Sequence, residues 1–447
     1  MASAKSAVEF HGTNDGSAPE PNSVGDGHGD IEAGRGGCAV ASRTPTPMPK
    51  SSGKRLVSLD VFRGITVVLM ILVDDVGGIV PSISHSPWDG VMLADFVFPF
   101  FLFIVGVSLA FAYKRVPAKM MATKKAVLRA AKLFLVGLLL QGGFFHSIHD
   151  LTYGVDIHKM RLMGILQRIA MAYLVVAVYE IWLRGGADDV GSGSYALIKR
   201  YRHQLFVGLV LTVTYTALLY GMYVPDWEYE VTPPDSTLKH FLVTCGVRGD
   251  TSPGCNAVGL IDRHILGIQH LYTHPVYLKT MQCSMNSPRN GPLPSDAPSW
   301  CQAPFDPEGL LSSLMATVTC LIGLQMGHVV VHFKEHDKRI VHWSIPSLSL
   351  LILGFSLDLA GLHMNKSLYS LSYTCVTTGT AGLFFAAIYL LVDVYGYKKL
   401  FFPMEWVGKH ALLIFVLVGC NIAPILVHGF YWREPQNNLL KFIGIGG

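Results

Sequence analysis

The chain has 447 residues, of which 51% are hydrophobic and only 15% charged, with a formal net charge of +4. A soluble domain usually carries about 25% charged residues, so an ordinary water-soluble enzyme is excluded, and a mean hydropathy of +0.39 points to a polytopic membrane protein. The small positive excess sits in joints between apolar segments, as membrane topology requires, so nucleic-acid binding has no support.

Residues 1–53 are rich in Gly, Ser, Pro and mixed charge, which predicts a disordered cytosolic tail. The tail has no apolar stretch, so a cleavable secretory signal is not expected and the segment from Leu56 serves as its own membrane signal. Apolar segments then follow at about 56–80, 91–113, 127–147, 161–183, 204–224, 309–332, 342–362, 368–392 and 403–430. Each is long enough to cross a hydrocarbon core of about 30 Å as a helix and too long for the roughly 10-residue strands of a barrel. The predicted fold is therefore an all-α helical bundle of about nine transmembrane helices occupying residues 54–432, with a short tail at 433–447.

Charge in the joints sets the expected orientation. Lys50, Lys54 and Arg55 precede the first segment, and Lys114, Arg115, Lys119, Lys124 and Lys125 fill the joint after the second. Lys199, Arg200 and Arg202, then Lys334, Lys338 and Arg339, then Lys398 and Lys399 continue the alternation, which puts the N-terminus in the cytosol. His85 and a large loop at about 225–307 then lie on the luminal side. That loop holds four of the eight cysteines, Cys245, Cys255, Cys283 and Cys301, which predicts two disulfides in one of three pairings. The sequon Asn365-Lys366-Ser367 falls on the same side, close to the membrane.

Ionisable residues inside spans are costly and mark functional positions. Asp60 and Arg63 stand three apart in "LDVFRG", a spacing that lets them pair on one helix face. In "DDVGGIVPSISHSPWDGVMLADF", Gly77, Gly78 and Pro81 break the first helix, which lets Asp74 approach His85, while Trp88, Asp89 and Asp95 follow. A histidine titrates near pH 6.5 and serves as a general base or an acyl carrier once a carboxylate orients it. In the large loop, "LIDRHILGIQHLYTHP" places Asp262, Arg263, His264, His270 and His274 in an otherwise apolar segment, and Gln167 and Arg168 lie inside the fourth span. No zinc-protease pattern, Walker A loop, nucleophile elbow or dinucleotide fingerprint is present in its structural context, so no metal or nucleotide cofactor is expected.

The blocks "RLVSLDVFRGITVVLMILV", "SHSPWDGVMLADFVFPFFLFIVG", "GILQRIAMAYLVVAVYE", "GLIDRHILGIQHLYTHP", "DPEGLL", "IGLQMG" and "NKSLYSLSY" together resemble the heparan-alpha-glucosaminide N-acetyltransferase family in its plant-type form, within the transmembrane acyltransferase superfamily. The resemblance implies acetyl-CoA as a donor supplied from the cytosol, a luminal amino-sugar or other amine as acceptor, and His85 as the active histidine. It implies a multi-pass protein of the lysosome, vacuole or another endomembrane, in contact with lipid and compatible with a homodimer. On this reading Asp74 and Asp262 orient the histidine or the acceptor, and Arg63, Arg129, Lys132 and Arg168 hold the CoA phosphates. Trp88, Asp95 and His270 then contact the acceptor.

The sequence departs from the animal enzymes in lacking an N-terminal luminal domain, in carrying Asp74 where the family has an active-site asparagine, and in stopping without an expected final span. A proton-coupled transporter of sugars or organic cations, built on Asp60, Asp74 and Asp95, is the alternative from another class. Paired hydropathy repeats would favour it, and the "LDVFRG" and "SHSPWDG" blocks occur once each. An inert scaffold with a structural polar junction is the third reading.

Overall fold

A computed structural model describes residues 56–77, 80, 82–114, 116, 118–145, 153–155, 160–183, 199–231 and 239–419. The predicted tails at 1–53 and 433–447 lie outside these residues. Helices dominate: α1 (Val57–Val76), α2 (Leu93–Ala112), α3 (Lys119–Gly142), α4 (Ile165–Trp182), α5 (Arg202–Gly221), α6 (Ala257–Leu266), α7 (Leu310–His332), α8 (His336–Leu359), α9 (Leu371–Tyr389), α10 (Phe402–Lys409) and α11 (Ala411–Gly419). Two small antiparallel hairpins complete the described part, β1 (Gly143–Phe145) with β2 (Tyr153–Val155), and β3 (Trp227–Val231) with β4 (Lys239–Val243).

Among the described residues, six helices are long and apolar enough to cross a membrane: α2, α4, α5, α7, α8, and α9 with its π-helical extension to Val394. The predicted number of about nine is not confirmed by these residues. The first and third predicted segments are helical, but α1 carries Asp60, Arg63, Asp74 and Asp75, and α3 carries Lys119, Lys124, Lys125, Arg129 and Lys132. The ninth breaks at His410 into α10 and α11, and its remainder from 420 lies outside the described residues. Runs of apolar residues set helix length correctly; they do not exclude the charges that a span must bury.

The bundle is built around α2 and α7. Glycine lets their backbones approach: a Cβ on Gly106 would stand 2.0 Å from the Cys320 carbonyl oxygen, and one on Gly323 would stand 2.2 Å from that of Phe103. Close small-residue contacts of this kind drive helix association where lipid removes the hydrophobic force. Phe62, Phe100, Phe103, Phe384 and Phe385 fill the space between α1, α2 and α9. By contrast α5 and α8 turn apolar side chains outward, with Leu209 60% and Ile352 67% exposed, as faces meeting lipid do.

Disulfides Cys245–Cys255 and Cys283–Cys301 staple the long segment between α5 and α7. They settle the three pairings left open by the sequence. The stapled segment packs Tyr277, Trp300 and Phe305 together with Trp88, and so lies against the loop that carries His85.

Candidate active site

Asp95 organises the junction between α1 and α2. It lies in the first turn of α2, where a carboxylate meets free backbone amides. Its Oδ2 accepts from the amides of Met92 at 2.9 Å and Ser86 at 3.1 Å, which folds residues 86–92 over the helix start. Oδ1 is left to face His85, whose Nδ1 lies 2.8 Å away. With the carboxylate ionised, Nδ1 carries the proton and donates it, so Nε2 keeps its lone pair for chemistry. Tyr373 of α9 donates its hydroxyl to the Asp95 backbone carbonyl and ties this corner to the bundle.

A second loop, between α8 and α9, closes on the same histidine. Lys366 Nζ stands 2.9 Å from Nδ1 and 3.3 Å from Nε2 of His85, and 3.7 Å from Asp95 Oδ1. The Lys366 turn is tightly satisfied. Asn365 Oδ1 accepts from the Leu368 amide at 2.9 Å, its Nδ2 donates to Asp89 Oδ1 at 3.3 Å, and Gly90 N donates to the Met364 carbonyl at 2.7 Å. Tyr369 follows with φ of 59°, a left-handed conformation that a side chain adopts only when its surroundings impose it.

Behind these two loops lies a buried charge cluster at the start of α7. Arg161 forks onto Asp306 and reaches Glu308, while its guanidinium covers the Tyr272 ring at 4.6 Å. Arg168, fully buried in α4, donates to the Pro307 carbonyl at 2.8 Å and to the Ser312 hydroxyl. Each charge in the cluster has an opposite partner or a carbonyl, as burial demands. Burial raises the Glu308 carboxyl, but Arg161, Arg168 and Lys366 outweigh that and hold it below its ordinary range. For His85, burial and then the Lys366 charge lower its basicity, against the opposing pull of Asp95 and Glu308.

The residues predicted from the sequence divide between this site and other places. His85 and Asp95 meet. Asp74 lies in the last turn of α1 with an exposed side chain, and the carboxylate that meets the histidine is Asp95. Asp262 is buried and accepts from the Leu310 amide at 2.8 Å, which makes it a cap for α7. Trp88 is buried among Tyr277 and Phe305 and donates to the Thr251 carbonyl at 3.1 Å, so its ring is a packing element. His270 donates from Nδ1 to the Met160 carbonyl at 2.8 Å, beside Arg161.

Of the four cations expected on the donor, Arg63 and Arg129 line a cavity of about 350 Å³ between α2, α3, α4 and the α10–α11 break. Lys409 joins them there, whereas Lys132 is exposed outside the lining and Arg168 belongs to the charge cluster. Arg63 also pairs with Asp60 at 3.0 Å, as their spacing suggests, and donates to Ser108 at 3.2 Å. Among the described residues no group of three or more His, Cys, Asp and Glu side chains could hold a metal.

Sequence reasoning missed Lys366, Glu308 and Arg161. Lys366 was visible only as the middle of a sequon and Glu308 only within "DPEGLL"; nothing local announces that either faces His85.

Residues 55–186, which hold both His85 and Asp95, match the family model of the heparan-alpha-glucosaminide N-acetyltransferase catalytic region. Two relatives extend the likeness over most of the chain. The chain is similar to the heparan-alpha-glucosaminide N-acetyltransferases. It is 28% identical to the mouse protein of that name over 82% of its own length and 54% of the relative's. To the human protein it is 28% identical over 87% of its length and 56% of the relative's. The chain thus spans about half the length of the heparan-alpha-glucosaminide N-acetyltransferases it matches.

Proposed function

We propose that this protein is a transmembrane acetyltransferase that moves an acetyl group from acetyl-CoA to an amine acceptor, with His85 as general base or acyl carrier. The observation that carries the reading is the 2.8 Å contact between His85 Nδ1 and a fully buried Asp95, within the segment matching the acetyltransferase family. A carboxylate so placed fixes the tautomer and stabilises the imidazolium that forms when Nε2 takes a proton.

The cavity fits part of the donor. Arg63, Arg129 and Lys409 supply positive charge suited to phosphates, and Leu109, Ile169 and Tyr173 supply an apolar wall suited to a pantetheine arm. Arg63 lies towards the start of α1 and His85 beyond its far end, so a donor entering at the basic end would present its thioester towards the histidine. By the charge rule the basic end is cytosolic and His85 luminal, and the family resemblance implies a lysosomal, vacuolar or other endomembrane. The acceptor amine attacks the thioester carbonyl, its proton passes through His85, and the CoA thiolate leaves protonated.

The test is transfer of radiolabelled acetyl from acetyl-CoA to glucosamine and a panel of amines by the purified full chain in detergent. Wild-type transfer abolished in His85→Ala supports the reading. Transfer that survives in His85→Ala removes the histidine from the chemistry.

A further inference from the structure

We propose that Lys366 is a catalytic residue whose ammonium stabilises the oxyanion formed as the acetyl group is transferred beside His85. The inference rests on the acetyltransferase reading and adds to it the group that carries the compensating charge.

Three observations point the same way. First, Nζ lies along the imidazole edge, 2.9 Å from Nδ1 and 3.3 Å from Nε2 of His85, so an acyl carbon next to Nε2 has its oxygen in reach of the ammonium. Second, the turn that delivers Lys366 is over-determined by Asn365, Gly90 and Ser370 and tolerates a left-handed Tyr369, which is where strain is kept when a side chain must be aimed. Third, the ammonium's ion-pair partner, Asp95 Oδ1 at 3.7 Å, is shared with His85, and the other oxygen of that carboxylate holds two amides.

The chemistry needs such a charge. When the amine nitrogen bonds to the carbonyl carbon and gives its proton to Nε2, the C=O pair moves to oxygen; collapse reforms C=O, breaks C–S and sends the electron pair to sulfur, which takes that proton from Nε2. A positive donor fixed at the oxygen lowers that barrier and typically raises the rate by a factor of about 10²–10³ per donor. With burial, the same ammonium opposes a proton on the imidazole and lowers the basicity of His85. The charged groups around His85 are Asp95 from α2, Lys366 from the α8–α9 loop and Glu308 from the start of α7, with Lys279 reaching Ser84 at 3.2 Å from the stapled segment.

The experiment uses purified full-length wild type, Lys366→Met, Lys366→Gln and Lys366→Arg, each checked for a monodisperse peak and thermal transition. Transfer kinetics are paired with the pH profile of diethylpyrocarbonate modification of His85, read by mass spectrometry of its peptide. We expect Lys366→Met and Lys366→Gln to lose about 10²-fold or more in kcat with little change in KM for acetyl-CoA. Their His85 inflection should rise by about one pH unit, while Lys366→Arg keeps it low. Loss of kcat with an unmoved inflection would reduce Lys366 to a structural residue, and unchanged kcat would overturn the proposal. A wild-type inflection at or above the ordinary histidine value would overturn it without any variant. Failure of the acetyltransferase reading shows separately, as wild-type transfer insensitive to His85→Ala.

Discussion

His85 and Asp95 face each other at 2.8 Å although one sits in an irregular loop and the other in the first turn of α2. The contact exists because the Ser86 and Met92 amides bind the other carboxylate oxygen and bend the loop back on the helix. Asp95→Asn keeps the shape but presents an amide that can steer the ring to the wrong tautomer. Acetyl transfer should fall by about 10³-fold with the thermal transition little changed. Activity within about threefold of wild type would show that the carboxylate is only a loop anchor.

Asn365 is a sequon asparagine that should not carry glycan. It is 1% exposed and both ends of its amide are engaged, by the Leu368 amide and by Asp89. Protein made in eukaryotic cells should show no mobility shift on peptide-N-glycosidase treatment that is lost in Asn365→Gln. A shift of that kind would mean the turn holding Lys366 is open during synthesis.

The Asp262 carboxyl is pushed up to about 7, mainly by burial, against the Leu310 amide that favours its anion. Its folded pKa therefore exceeds its unfolded value near 3.8. Between those values the folded chain holds the extra proton, so this group's contribution to stability falls as pH rises from about 4 to 7. Asp262→Asn, which imitates the protonated form, should flatten that part of the profile and raise the melting temperature at pH 7 by about 2–4 °C. An unchanged slope across this range would show that Asp262 stays ionised.

The α2–α7 contact predicts a contrast between two glycines. Gly323→Ala drives a methyl to 2.2 Å from the Phe103 carbonyl oxygen, which neither backbone can yield easily, and should cost about 1–3 kcal/mol or more in detergent melts. At Gly208 in α5 the nearest atom is Leu321 Cδ1 at 3.8 Å, so Gly208→Ala should be neutral or stabilising by up to about 1 kcal/mol. Equal effects at the two positions would contradict the packing described.

The sequence by itself determined the helical membrane class, the approximate ends of most helices, the loop that holds both disulfides, and His85 as the centre of interest. These are local properties: helix length follows from uninterrupted apolar runs, and a histidine at a Gly- and Pro-broken helix end is visible in a single window. The tertiary structure decided which carboxylate serves His85, because a loop folded over Asp95 binds it while Asp74 ends exposed at the end of α1. It also decided that Lys366, 281 residues away, stands against the same ring. It assigned Arg168 and Asp262 to the start of α7 and Arg129 to the cavity wall. Pairings over such separations are set by how helices pack and by which loops their ends bring together, and no local pattern of residues encodes that geometry.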